Sequence, residues 1–182
     1  MDITLTPYYI NMIQQTTIEF ILRIFVAALL GGLIGLEREY REKSAGFRTH
    51  FLVALGSALF MIISQYGFTT ALGASPEVDL RLDPSRVAAQ VVSGIGFIGA
   101  GTIMLQRNII RGLTTAAGIW VTAAIGLACG GGMYILATAG TLLVLAGLEG
   151  FNFFLSWMDG RRDNKKADDK TATDTTEEEG IE

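Results

Sequence analysis

Asp83, Arg86, Gln90 and Ser93 are residues whose types and spacing could do chemistry. On a helix, Arg86, Gln90 and Ser93 recur at i, i+4 and i+7 and share one face, a polar stripe that descends into an otherwise apolar segment. Ionisable or amide groups at membrane depth are costly and normally face a bundle interior or a wet cavity, so the stripe is a first candidate site. A plainer reading of its start is local: Asp83 caps a helix, Pro84 takes the first helical position, and Arg86 pairs back to Asp83. A second set comprises Glu37, Arg38, Arg48, Thr49, His50, Arg111 and Thr114, all at the boundaries of apolar stretches on one side. They could gather into a cytoplasmic cluster, although charges at helix ends also simply mark the water boundary.

Other chemistries find little footing. Gly94-Ile95-Gly96-Phe97-Ile98-Gly99 is a literal G-x-G-x-x-G. A dinucleotide fingerprint, however, needs a preceding strand and an acidic residue about 20 positions on. Positions 117 to 121 read Ala-Gly-Ile-Trp-Val instead. With one cysteine, Cys129, and one histidine, His50, a single chain assembles neither a disulfide framework nor a Cys/His zinc site. No nucleophile, base and orienting acid stand at the spacing of a known hydrolase motif, so no enzyme and no cofactor are expected. Residues 1 to 158 carry nine acids and nine bases, and the net charge of −4 belongs to the remainder. Such a body offers no basic surface for nucleic acid.

The elements that must position these residues are helices in a bilayer. Five apolar stretches can be read: Phe20 to Leu36, one from Phe51 through Tyr66, Val87 to Leu105, and two within the 37 uncharged residues from Gly112 to Leu148. About 20 apolar residues cross a hydrocarbon core, so the last run is split at Gly130-Gly131-Gly132, where a hairpin would turn. The expected fold class is all-α, a polytopic transmembrane helical bundle of about five spans. Counting Lys and Arg in alternate connections gives eleven on one side and two on the other. Basic connections stay in the cytoplasm, which puts the amino terminus out and the carboxyl terminus in. The first 17 residues hold Asp2 and no Lys or Arg, so the first span is expected to remain as an anchor rather than be cleaved.

Glu37 with Arg41, and Glu39 with Lys43, are favourable i,i+4 pairs that predict a helix continuing to about Ser44, with Gly46 at the following turn. Residues 1–158 form the expected membrane domain. Residues 159–182 mix acids, Lys and Thr without apolar periodicity and read as a disordered acidic cytoplasmic tail. Gly31 with Gly35, Gly96 with Ala100, and Gly126 with Gly130 place small residues four apart, and Gly94, Gly99 and Gly101 extend the pattern. Small residues let helix backbones approach where lipid supplies no hydrophobic drive, so these glycines are expected at helix-packing surfaces, within the chain or between copies.

Gly32 to Glu39, Ala45 to His50, Asp83 to Gly101 and Arg111 to Ala117 together resemble the MgtC/SapB family of bacterial membrane proteins over about Phe20 to Leu148. The resemblance implies a multi-pass protein of the bacterial inner membrane, associated with growth at low magnesium and, in some members, survival inside host cells. It implies a regulator of other membrane proteins, linked to magnesium homeostasis or to low-magnesium and acid stress. The alternative is a divalent-cation (Mg²⁺) or proton transporter or channel. MgtC-type members carry a carboxy-terminal soluble domain where this sequence has its short acidic stretch, so roles read through that domain do not transfer. The expected partners are the lipid bilayer and another integral membrane protein or a second copy. A metal ligand set is not readable: Mg²⁺ demands six oxygens in octahedral array, while the third and fourth spans offer only Gln90, Ser93, Thr102, Thr115 and Thr122 besides backbone.

Overall fold

The computed structural model describes residues 7–67, 83–106 and 108–150. The chain divides into two compact units, residues 1–144 and 145–182. Of the second unit only residues 145–150 are described. The expected boundary at 158/159 lies outside the described residues.

The protein is an all-α membrane bundle. Its helices are α1 (Pro7–Tyr40), α2 (Phe47–Tyr66), α3 (Pro84–Gly101) and α4 (Leu113–Gly130), followed by α5 (Tyr134–Gly150). A two-stranded hairpin, β1 (Met104–Gln106) with β2 (Ile109–Arg111), joins α3 to α4. The Thr17–Tyr40 part of α1, all of α2 and all of α4 are long and apolar enough to cross a membrane. At 1.5 Å per residue, 18 residues rise about 27 Å, close to the hydrocarbon thickness.

Contacts fix the directions. Gly35 of α1 packs on Phe47 at the start of α2, whereas Arg23 reaches Tyr66 at its end, so α1 and α2 are antiparallel. Gly118 lies beside His50 and Gly130 beside Ala58, so α4 runs parallel to α2. Gly99 near the end of α3 meets Ala116 near the start of α4. The alternation expected from the charge pattern is therefore the alternation of the fold. It places Asp83 and Glu37 at opposite ends of the bundle.

The helix boundaries follow local chemistry. α1 stops at Tyr40, short of the expected Ser44, because Glu42 adopts a left-handed conformation with φ 53°. The Glu42 N–H then donates to the Glu39 carbonyl and the Lys43 N–H to that of Arg38, each at 3.0 Å, the paired closure of a Schellman motif. Glu39 does not wait for Lys43; its Oε2 accepts the Phe47 N–H at 2.8 Å and covers an orphan donor of α2. The expected turn at the glycine triplet is present, with Gly132 at φ 79° and the Met133 N–H donating to the Ala128 carbonyl. The third apolar stretch, by contrast, does not run as helix to Leu105. It ends at Gly101, where the Thr102 hydroxyl donates to the Gly99 carbonyl, and Met104 and Leu105 then pair with Arg111 and Ile110 in the hairpin. Asn108 supplies the left-handed residue that lets the strands reverse.

α2 is the middle of the bundle. A Cβ on Gly31 would stand 2.7 Å from the His50 carbonyl oxygen, and one on Gly35 2.6 Å from the Phe47 Cα. From the other side, a Cβ on Gly126 would meet Ser57 Cβ at 2.8 Å, and one on Gly130 the Ala58 carbonyl oxygen at 2.6 Å. Gly99 is in ordinary contact with Ala116. The packing role expected for all eight glycines does not extend within the chain to three of them: around Gly94, Gly96 and Gly101 an added Cβ would meet only open space. Ile95 of α3 instead packs with Ala45, Ile119 and Ala123 in a small apolar core. Overpacking a tight interface costs about 1–3 kcal/mol, and an open position usually within about 0.5 kcal/mol. Gly126→Val should therefore lower unfolding stability in detergent by about 2 kcal/mol or more while Gly96→Val leaves it nearly unchanged, measured by denaturant titration of the purified variants.

Candidate functional site

Two polar centres bind the bundle at its ends. At the end bearing loop one, the Arg38 Nη2 donates to Glu37 Oε1 at 2.7 Å, its Nε donates to Oε2, and Arg41 Nε donates to Glu37 Oε1 at 3.0 Å. Arg38 is 2% exposed and His50 fully buried. His50 Nδ1 lies 3.0 Å from the Gly46 carbonyl and donates to it as the Nδ1–H tautomer, leaving Nε2 buried without a hydrogen-bond partner against Gly118. The Ser44 and Thr115 hydroxyls approach to 3.5 Å and tie loop one to α4. The structure thus brings Glu37, Arg38 and Arg41 together at the end where His50 is buried. Arg48 and Thr114 are exposed, Thr49 is half-buried, and Arg111 is exposed on β2.

At the opposite end, Arg23 is 7% exposed and ties three helices. It donates to Glu19 one turn away, to the Gly130 carbonyl at 2.9 Å, and to the Tyr66 hydroxyl at 3.4 Å, and it stacks near the Phe20 and Tyr66 rings. A cation at the carboxyl end of α4 complements the helix dipole. The sequence discloses the Glu19–Arg23 pair by its spacing. The link to Gly130 joins residues 107 apart, and no local pattern announces it.

Asp83 caps α3: its Oδ1 accepts the Ser85 N–H at 3.0 Å and the Ser85 hydroxyl, and Pro84 takes the first helical position. Arg86 reaches Asp83 through its backbone N–H, which donates to the Asp83 carbonyl at 3.3 Å. The Ser85 hydroxyl and amide hold the Asp83 carboxyl below its ordinary range. Arg86, Gln90 and Ser93 are all exposed, and they share the outward face of α3 with Phe97, Ala100 and Gly101. The buried side of the helix, marked by Ile95 and Gly99, is opposite. Between these faces, α2 and α3 enclose a groove of about 650 Å³. Arg86 and Gln90 line it at one end, and Val91, Ile95, Ile98 and Leu52 along its length. Ser93 is not part of it.

Two buried hydroxyls are engaged within their own helices, Thr122 on the Gly118 carbonyl and Thr141 on that of Ala137, while the buried Tyr134 hydroxyl has no partner among the described residues. Among the described residues no group of three or more His, Cys, Asp or Glu stands close enough to hold a metal ion.

Removing one partner of a buried ion pair strands the other, at about 3–5 kcal/mol, while removing both can be nearly neutral. Glu37→Gln, which leaves Arg38 buried without a carboxylate, should therefore destabilise the protein by about 3 kcal/mol, with much of that loss recovered in Glu37→Gln/Arg38→Met; a double-mutant cycle in detergent reads the coupling. A depressed carboxyl keeps its contribution until pH falls below the usual carboxylate range. The Ser85 amide resonance should accordingly hold its capped position on acidification and shift only at still lower pH. Asp83→Asn, which caps about as well, should hold it with no titration.

The MgtC family profile matches residues 24–157. The chain is 55% identical over 136 residues to an Escherichia coli K12 protein named "Putative magnesium transporter YhiD", covering 75% of this chain and 62% of that protein. It is 48% identical over 126 residues to the protein MgtC of Salmonella typhimurium LT2, covering 69% of this chain and 49% of that one. The Synechocystis protein slr0014 is 42% identical over 127 residues, covering 70% of this chain and 50% of that protein. The chain thus spans between about half and three-fifths of these relatives' lengths. No solved structure matches. With the profile covering nearly all of the helical bundle and two relatives near half identity, the chain belongs to the MgtC family.

Proposed function

We propose that this chain is a non-enzymatic regulator in the bacterial inner membrane that works by docking the outward face of α3 against another integral membrane protein or a second copy of itself. The reading is carried by one observation: Gln90 and Ser93 lie exposed beside Gly96, Gly101 and Phe97, the last 84% exposed. An amide facing hydrocarbon without a hydrogen bond costs about 2–7 kcal/mol, so this face favours a polar covering. Its open glycines let a second helix backbone approach closely. The other polar groups at depth support the same reading, because Arg23, Thr122 and Thr141 are already engaged inside the protein. The name of YhiD supports a task linked to magnesium, and the motif resemblance to the MgtC/SapB family is the ground for placing that task in magnesium homeostasis or in adaptation to low-magnesium and acid stress.

A second reading, a divalent-cation (Mg²⁺) or proton pathway, draws on Arg86, Gln90 and Ser57 sharing one groove and on the name of YhiD. An arginine at the mouth repels a cation, which weighs against it. Two measurements separate the readings. Purified protein in sealed vesicles should pass Mg²⁺ and protons no faster than empty vesicles. In cells lacking the native gene, Gly96→Leu should fail to restore growth at limiting magnesium while accumulating in the membrane at the wild-type level. Flux above the empty-vesicle rate that Gln90→Leu abolishes would replace the regulator with the pathway.

A further inference from the structure

Two grooves among the described residues are of similar size and different chemistry. One, about 510 Å³ between α1 and α2, is lined by Ile21, Phe25, Leu29, Leu33, Phe51 and their apolar neighbours, with no charged or amide side chain. Any hydrocarbon satisfies it. The other, about 650 Å³ between α2 and α3, is apolar along Leu52, Phe60, Val91, Ile95 and Ile98 apart from the Ser57 hydroxyl, and carries a guanidinium and an amide, Arg86 and Gln90, at one end.

The polarity of the second groove runs along the axis of α3. Arg86 sits in the first turn of α3, and Ile98 lies twelve residues on, about 18 Å further along the helix. The first turn of a helix also carries partial positive charge from its free N–H groups. A cation at the boundary above an apolar channel of this length matches one kind of molecule, with an anionic phosphate at its head and an acyl chain below. We infer that the α2/α3 groove is a binding site for one anionic phospholipid, its phosphate against Arg86 and Gln90 and an acyl chain along Val91, Ile95 and Ile98. The site takes Arg86 and Gln90 from one edge of the outward face of α3 and leaves Ser93, Gly96 and Phe97 to a partner docked there.

The test uses the full chain in nanodiscs containing equal parts of phosphatidylglycerol, phosphatidylethanolamine and phosphatidylcholine, then detergent release and native mass spectrometry. Wild type should retain one phospholipid, with phosphatidylglycerol enriched about fivefold over the zwitterionic lipids, the scale of one Arg at an anionic surface. Arg86→Gln, at an exposed position, should keep a bound phospholipid and lose the enrichment. Gly94→Trp, which projects into open space at the groove, should lose the retained lipid whatever its headgroup. Leu33→Trp, in the wholly apolar groove, should change neither readout and reports any general loss of structure. Excess inorganic phosphate should leave phosphatidylglycerol in place. Enrichment that survives Arg86→Gln, wild type that retains no lipid, or displacement by inorganic phosphate would each overturn the assignment. So would a photo-crosslinker at Gly94 that captures a polypeptide instead of lipid, since the groove would then belong to a helix.

Discussion

The close approach of α2 to the helices on either side of it is the contact on which the bundle depends. Lipid tails are as apolar as leucine, so burying apolar surface between helices gains little in a bilayer, and association rests on dispersion at short range and on hydrogen bonds. Gly31 and Gly35 of α1 face the α2 backbone at His50, Ala54 and Phe47. Gly126 and Gly130 of α4 face it at Ala54, Ser57 and Ala58. Four missing side chains allow three backbones to lie in contact, and Arg23, Arg38 and His50 are positioned by that contact.

Its consequences appear at both ends. With α1 and α4 held against α2, Arg23 is brought within reach of the Gly130 carbonyl and the Tyr66 hydroxyl. At the other end the same packing buries His50 against Gly118 and covers the Arg38–Glu37 pair. A buried ion pair adds little stability by itself, because desolvation offsets most of the Coulomb attraction. It does penalise arrangements that expose one charge to lipid, so the two ends act as register marks for a seam that glycine alone would let slide.

α3 stands apart from that economy. It meets α4 through Gly99 and the core through Ile95, and it leaves Gly94, Gly96 and Gly101 without neighbours. Arg86, Gln90 and Ser93 are exposed where Arg23 of α1, Thr122 of α4 and Thr141 of α5 are engaged, and the flank of α3 forms the one amphipathic groove among the two described. A helix built this way offers the bilayer surfaces that suit lipid headgroups and other helices better than bare hydrocarbon.

Much of this was legible in the residues. The lengths of the uncharged runs, the alternating counts of Lys and Arg, and the glycine triplet are local quantities, and they determine five helices, their alternation and the last hairpin. Capping is local too: Asp83-Pro84 announces the start of α3 because a side-chain oxygen reaches only the next turn. Other features are decided by tertiary contact. The i,i+4 pattern of Glu39 with Lys43 yields to the Phe47 amide, which comes near only after the chain reverses. The spacing of eight glycines is the same whether a neighbour is present or absent, so only the packed structure separates the five that touch another helix from the three that do not. Likewise the i, i+4, i+7 stripe specifies that Arg86, Gln90 and Ser93 share a face, while which way that face turns depends on where Ile95 finds its core. Periodicity is a property of one helix, and direction is a relation between helices that a linear sequence does not contain.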